Sequence, residues 1–250
     1  MDSTAEFIEL LKNITVDCKD DGDIFTITDR VAVIERLLEG TKYKLVAREP
    51  LSLVYAKCDI HEGDSVALVS SHVDSLYNAC FCDDMDDCLR GTFDNSLGNA
   101  AVLWLMLAGV LPDNVVVAFT GDEEHDSQGA VQTVLALGRK QCSIKHALVL
   151  DVTNTGWESG ACFALENDLG IDLLTAHRLV EAVESLGVEY AFEHDAEPDE
   201  SWDYNEYGIP VLSLCASVGG FLHGDEGVSV LKTSLLHYCH AIRVVLNCLA

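Results

Sequence analysis

The sequence predicts an α/β fold, a single-domain three-layer αβα sandwich around a central mixed, mostly parallel sheet, and three observations predict it. Beyond residue 96, apolar strand-like runs alternate with stretches of helical period, the pattern of βαβ units that lay helices on both faces of a sheet. The run VVVAF, residues 115–119, is continuously apolar, as a buried strand is. The 250 residues include only four prolines, no Ser/Gly-rich linker and no repeat, so one domain spans 1–250.

Each element follows from local pattern. Two amphipathic helices are expected near 4–14 and 28–39, the second capped by Thr28 or Asp29 and stopped by Gly40. Strand-like runs follow at YKLVA, LSLVYAK and SVALVSSH, with antiparallel pairing among these early strands. A helix over 96–109, the strand VVVAFT, a helix over 127–137 and the strand HALVLDV come next. ACFALE is a further strand, 170–187 a long helix, PVLSLCA a strand and 228–248 the closing helix.

Composition narrows the function. With 42 acidic against 15 basic residues the formal net charge is -27, which repels phosphate backbones and anionic lipid surfaces, so neither nucleic acid nor membrane is an expected partner. Solubility alone accounts for much of that charge, but carboxylates gathered in a cleft also attract divalent cations. The longest apolar runs, such as AAVLWLMLAGVL, fall short of the roughly 20 residues that span a bilayer. The opening MDSTAEFIELLKNI carries acids where a signal peptide carries basic residues, and a cytoplasmic protein is expected. The ten cysteines are scattered, and Cys215, Cys239 and Cys248 lie in apolar runs where a thiol acts as a small hydrophobe. Cys80, Cys82 and Cys88 cluster in NACFCDDMDDC, but C-x-C-x5-C lacks the paired spacing of a structural zinc site, so a surface loop with reduced thiols is expected.

In open α/β sheets ligands bind beyond the carboxyl ends of the strands. Those ends supply His72 and Asp74 after SVALVSS, Asp94 just before a helix, Glu123 and Glu124 after VVVAFT, Asp151 in HALVLDV and His223 in FLHGDEG. Singly, each is explained by a helix cap, a solvated loop or the helix macrodipole. Together they put hydrogen-bonding and metal-liganding types at five strand ends with hardly any Lys or Arg, a group that repels itself unless cations are present. A turn at Gly121 would keep Glu123 and Glu124 from diverging as strand neighbours do.

The order H-x-D, D-N-x-x-G, E-E, D and H, from His72 to the closing helix, resembles the two-zinc aminopeptidases of the MH clan, especially the compact bacterial leucyl aminopeptidase type, with glutaminyl cyclases as relatives. The resemblance implies His72 and Asp151 on one metal, Glu124 and His223 on the other, and Asp94 between them. It implies Glu123 as general base and Asp74 as the acceptor that orients His72. Two metals about 3.5 to 4 Å apart need a shared carboxylate, hold a bridging hydroxide, and leave one further carboxylate to carry a proton to the leaving amine. The implied activity is a metal-dependent hydrolase, a dizinc aminopeptidase releasing N-terminal residues from a peptide or amino-acid amide. Two Zn2+ are the implied cofactors, with Co2+ or Mn2+ as other ions. The alternatives are a one-zinc glutaminyl-cyclase-like aminoacyltransferase and a non-catalytic metal-binding relative.

The 22 residues from His72 to Asp94 and the 72 from Asp151 to His223 are too few for the PDZ-like insertion or the dimerisation lid that some relatives carry. DESWDYNEYGIPVLSL partly resembles the family stretch S-D-H-x-P-F-x-x-x-G-I-P-x-x-x-L beside the substrate pocket, so Trp202 and Tyr204 either line a pocket or pack against the loop. GDEG after His223 departs from the family pattern, and DDMDD is expected to be a solvated acidic loop rather than a cleft rim that draws a cationic amino terminus. His125, His146, His194, His237 and His240 receive no role, and side-chain preference and oligomeric state leave no mark in the sequence.

Overall fold

The structure is a computed structural model that describes residues 3–16 and 28–250. Helix α1 (Thr4–Ile14) is capped by Ser3, whose hydroxyl accepts the Glu6 N–H, and it buries Phe7, Leu10, Leu11 and Ile14. Helix α2 (Thr28–Leu38) already contains Thr28 and Asp29, so its cap lies outside the described residues; it does stop before Gly40, whose φ is 74°.

Eight strands form the main sheet: β1 (Lys44–Glu49), β2 (Ser52–Ala56), β3 (Ser65–His72), β6 (Val115–Thr120), β7 (Ser143–Thr153), β8 (Phe163–Leu169), β9 (Ala191–Glu193) and β10 (Val211–Ser217). Their order is β1-β2-β6-β3-β7-β10-β8-β9. The pairs β6/β3, β3/β7 and β7/β10 are parallel, and β1/β2 and β2/β6 are antiparallel, as expected of the early strands. The four central strands therefore point their carboxyl ends to one edge.

Both faces are covered, and the two-residue period of the strands divides the core between them. On β6, Val117 and Phe119 join the cluster formed with α1, α2, α3 (Ser96–Ala108), α5 (Leu173–Glu184) and α7 (Lys232–Leu249), whereas Val116 and Ala118 join the one under α4 (Gln128–Arg139) and α6 (Glu200–Glu206). This explains why VVVAF has no polar position: all six residues of β6 are buried. Phe7 of α1 meets the edge of Trp104 of α3 at 5.7 Å between ring centroids, and a hydrogen bond of 2.8 Å joins the hydroxyls of Thr15 and Ser96.

The structure differs from the sequence expectation in several elements. Residues Val228–Leu231 are strand β11, so the closing helix begins at Lys232; Val228 and Val230 are buried in alternation and pair antiparallel with β5 (Cys88–Gly91). NACFCDDMDDC is a hairpin, β4 (Phe81–Asp84) with β5, which joins β11 in a second, three-stranded sheet. Strand β9 and helix α6 are three and seven residues long, too short to show a period. The helix expected over 170–187 is α5, which begins only after Asp172; that carboxylate accepts the N–H groups of Leu174 and Thr175.

The acidic run in the hairpin is tied down as well as solvated. Asp84 pairs with Lys12 of α1 at 3.2 Å and with Lys232 of α7 at 2.7 Å, so it serves the joint between two helices and the small sheet. No helix among the described residues is long and apolar enough to cross a membrane.

Replacing Phe7 with Ala is expected to destabilise the protein by about 3 to 5 kcal/mol, because Phe7 is fully buried against Trp104. Leu173→Ala, at a side chain 90% exposed, is expected to change stability by less than about 0.5 kcal/mol. Urea unfolding of both variants measures the contrast.

Candidate metal centre

The carboxyl edge of the parallel strands carries the site. His72 is the last residue of β3, Asp151 lies near the end of β7, and Glu123 and Glu124 follow β6 across a turn. The turn is made at Asp122, whose φ is 68°, and not at Gly121. Asp tolerates this left-handed conformation, and its carbonyl accepts the N–H groups of Asp126 at 3.0 Å and Ser127 at 2.5 Å, which closes the turn. Gly121 and Gly129 serve instead as a close approach: a Cβ on Gly129 would stand 2.5 Å from the Gly121 carbonyl oxygen and 2.6 Å from that of Leu51.

Two asparagines position the start of α3 and with it Asp94. Asn95 caps the helix by accepting the Gly98 N–H at 3.0 Å and donates to the Leu150 carbonyl on β7 at 2.6 Å. Asn99 donates to the His72 carbonyl at 2.6 Å. Asp74 binds the remaining piece, since its Oδ2 accepts the Glu124 N–H at 3.2 Å while Oδ1 faces His72 Nδ1 at 3.5 Å.

These supports bring all the sequence-predicted residues together. His72 Nε2 lies 3.1 Å from Asp94 Oδ1, 3.4 Å from Asp151 Oδ1 and 3.8 Å from Glu123 Oε2. His223 Nε2, on a half-exposed loop after β10, lies 3.8 Å from Asp94 Oδ2 and 3.8 Å from Glu124 Oε2. Three donor sets result, each with atoms within 4.8 Å of one another: His72, Asp94 and Asp151; Asp94, Glu124 and His223; and His72, Glu123 and Glu124. Asp94 belongs to the first two, one oxygen facing each histidine. Glu123 stands close enough to His72 to belong to a donor set of its own, so distance alone does not separate it from the others.

The electrostatics are those of buried carboxylates crowded around one imidazole. Burial, followed by the neighbouring Asp94, pushes Glu124 up to about 8, and burial pushes Asp151 to about 6. Glu123 is raised well above the carboxylate range, by burial first and then by Asp151, Asp94 and Glu124 against the opposing pull of His72. Burial works to lower His72, but Glu123, Asp151 and Asp74 outweigh it and hold the imidazole well above its ordinary value. Asp94 Oδ1, which faces His72 Nε2, is buried with no hydrogen-bond partner. Imidazole and carboxylate donors at this spacing, one carboxylate oxygen among them without a partner, fit divalent metal ions of the zinc type.

The site opens into a cleft of about 640 Å³, lined by Asp94, Glu123, Glu124, Asp151 and His223 at one end. Neither Trp202 nor Tyr204 lines it; Trp202 is half exposed, and Tyr204 is fully buried with its hydroxyl donating to Ser70 at 2.8 Å. Glu200 escaped the sequence reading. It is buried, accepts the Ser70 hydroxyl at 2.7 Å and is pushed up to about 7 by burial. A polar helix-start segment carries no signal for such a burial.

An αβα sandwich that gathers two histidines and four carboxylates at the carboxyl edge of its parallel strands marks a metal-dependent peptidase of the MH clan. The sequence pattern of peptidase family M28 matches residues 54–239, and the chain belongs to that family. Its fold is similar to a TET aminopeptidase from a marine sediment archaeon of the Thaumarchaeota, with 11% identity, 98% of this chain and 97% of that one covered, and a TM-score of 0.76. An aminopeptidase from the archaeon Desulfurococcus kamchatkensis is similar at 12% identity over 96% of this chain and 94% of that one, TM-score 0.75. The LapA aminopeptidase of Legionella pneumophila is similar at 14% identity over 97% of this chain and 72% of that one, TM-score 0.65. No curated protein matches the chain by sequence.

The raised carboxyls predict how the metal-free protein responds to pH. Glu124 and Glu200 move from 4.5 to about 8 and about 7, and Asp151 from 3.8 to about 6, so each binds its proton more tightly folded than unfolded. The stability they lend is complete below the ordinary carboxylate range and is lost as pH rises through the raised values. In chelator, Tm is therefore expected to fall from about pH 5 to about pH 8, and added zinc to raise it most at the upper end. Glu200→Gln is expected to flatten the fall up to about pH 7, as read by thermal unfolding across that range.

Proposed function

We propose that the protein is a two-zinc aminopeptidase that releases residues from the amino terminus of peptides. The observation that carries this reading is Asp94, whose two carboxylate oxygens face His72 and His223 from between the two donor sets. On this reading His72 and Asp151 hold one ion, Glu124 and His223 hold the other, and Asp94 is shared. When bound, the ions supply Lewis acidity, polarising the scissile carbonyl and acidifying the water between them.

The remaining work belongs to side chains. Glu123, buried beside the donors with its pKa raised, takes the proton of the attacking water and passes it to the departing amine. Asp74 stays below the usual carboxylate range because His72 outweighs its burial, and it fixes the imidazole tautomer through Nδ1. The cleft beyond Asp94 accommodates the amino-terminal residue. We also infer a cytoplasmic enzyme, the expectation drawn from the scattered cysteines of the sequence, several of them in apolar runs.

Two experiments test the assignment. Glu123→Gln is expected to keep both metals and to lower kcat about 10²- to 10⁴-fold, measured on aminoacyl amides with metal content determined on the same sample. Full activity in that variant would remove Glu123 from the proton-carrying role. Metal analysis of the wild type is expected to return two ions per chain; one ion with aminoacyl transfer would favour the cyclase reading, and two ions without turnover of any amide or peptide would favour a binding protein.

A further inference from the structure

The cleft does not end at the metal donors. Its lining continues with Glu166 on β8, Glu193 on β9, and Glu197 and Asp199 on the segment leading into α6, and it contains no lysine or arginine. Glu166 and Glu193 are register partners on adjacent parallel strands, a pairing that like charges ordinarily disfavour. Glu166 is only 5% exposed, and its Oε1 has no hydrogen-bond partner. Burial raises its pKa, and Asp199 adds to the rise, against the opposing hydroxyls of Thr155 and Thr153 and the Cys215 thiol. Glu193 is held in place by the Thr155 hydroxyl, which donates to its Oε2 at 2.8 Å. Asp199 caps α6 by accepting the Ser201 N–H at 2.8 Å, and Glu197 is anchored through its carbonyl, which accepts from Asn167 at 3.1 Å.

An acidic surface explains exposed carboxylates but not a buried one with an unmet oxygen. A bare metal ion does not explain this wall either, because among the described residues the triads close enough to chelate one all lie at the metal centre. A spread of carboxylates with an orphaned acceptor suits an organic cation whose several N–H groups point in different directions, as those of a guanidinium do.

We propose that Glu166, Glu193 and Glu197, with Asp199 adding to the field, form a subsite for the cationic side chain of an amino-terminal arginine or lysine. The proposal rests on the peptidase reading, and it makes the enzyme selective for basic residues. The subsite and the metal centre then divide the substrate: the centre takes the scissile amide, and the glutamates hold the charge of the side chain.

The test uses the metal-loaded full chain and the 4-nitroanilides of arginine, lysine, citrulline, leucine and glutamate. The kcat/KM for arginine and lysine is expected to exceed that for leucine by ~10-fold or more, with neutral citrulline losing the advantage of arginine. Glu166→Gln and the exposed Glu193→Gln are each expected to lower the arginine-to-leucine ratio by about 10-fold, with folding confirmed by thermal unfolding. Equal rates for arginine, citrulline and leucine, or ratios unchanged in both variants, would overturn the subsite while leaving the peptidase reading in place. An equal loss on arginine and leucine would assign the wall to the free amino group and overturn the side-chain proposal. Stabilisation by argininamide over leucinamide is followed in parallel by Tm. If it depends on Glu166 where no anilide is cleaved, the subsite stands and the peptidase reading falls; if it is absent there, both fall.

Discussion

Repulsion among Asp94, Glu123, Glu124 and Asp151, gathered around one imidazole at the edge of a sheet, is the constraint from which the rest of this structure follows. Burial, and then the neighbouring carboxylates, push Glu123, Glu124 and Asp151 towards protonation, and only a scaffold that forbids their escape keeps them together. The parallel strands supply that scaffold. β6, β3 and β7 are buried on both faces and hydrogen-bonded along their length, so their ends cannot drift apart without loss of core packing. Asn95, Asn99 and Asp74 then bind the connecting segments to those ends, by bonds to main-chain groups and not to the ligating atoms themselves. Asp94 Oδ1, between the two donor sets, is left without a hydrogen-bond partner, and a divalent cation would satisfy it.

Much of this was legible because two signals overlap at the strand ends. A continuous apolar run such as VVVAF identifies a central strand, and the polar residues just after it have no place in the core, so their chemistry stands out. Glu123, Glu124, Asp151 and His72 were found this way, and the structure gathers them as that reasoning requires. What the sequence hides are features without a period. The hairpin from Phe81 to Gly91 is acidic on one strand and has no apolar alternation, so it passed as a loop. VSVL is a four-residue strand joined directly to the closing helix, and its alternation merges with the helical pattern. The turn before the glutamates is expected at Gly121, but the left-handed residue is Asp122, and the glycine that a close approach requires is Gly129, where α4 meets the backbone of Gly121. Glu166 and Glu200 are a harder case: a glutamate buried by tertiary packing looks in sequence like any exposed one.

The two ends of the cleft show how one residue type serves different purposes in different surroundings. At the metal centre the carboxylates stand within chelating distance, and their charge calls for small, hard-edged divalent cations. Along β8 and β9, among the described residues, no three stand within chelating distance, and a threonine hydroxyl supports Glu193. Elsewhere on the molecule the same residue type merely pairs with lysine or caps a helix, as Asp84 and Asp172 do. Net charge alone distinguishes none of these uses; burial, spacing and the partner each oxygen lacks do.

Gly129 shows how far the influence of the centre reaches. Its missing side chain is what allows the first turn of α4 to rest on the backbone of Gly121 and Leu51. Even a methyl group there would act as a wedge, levering the helix off the strand end and swinging the glutamate pair out of line, although position 129 touches no donor atom. In a saturation library selected for metal retention, this site would stand out as an unexpected blank.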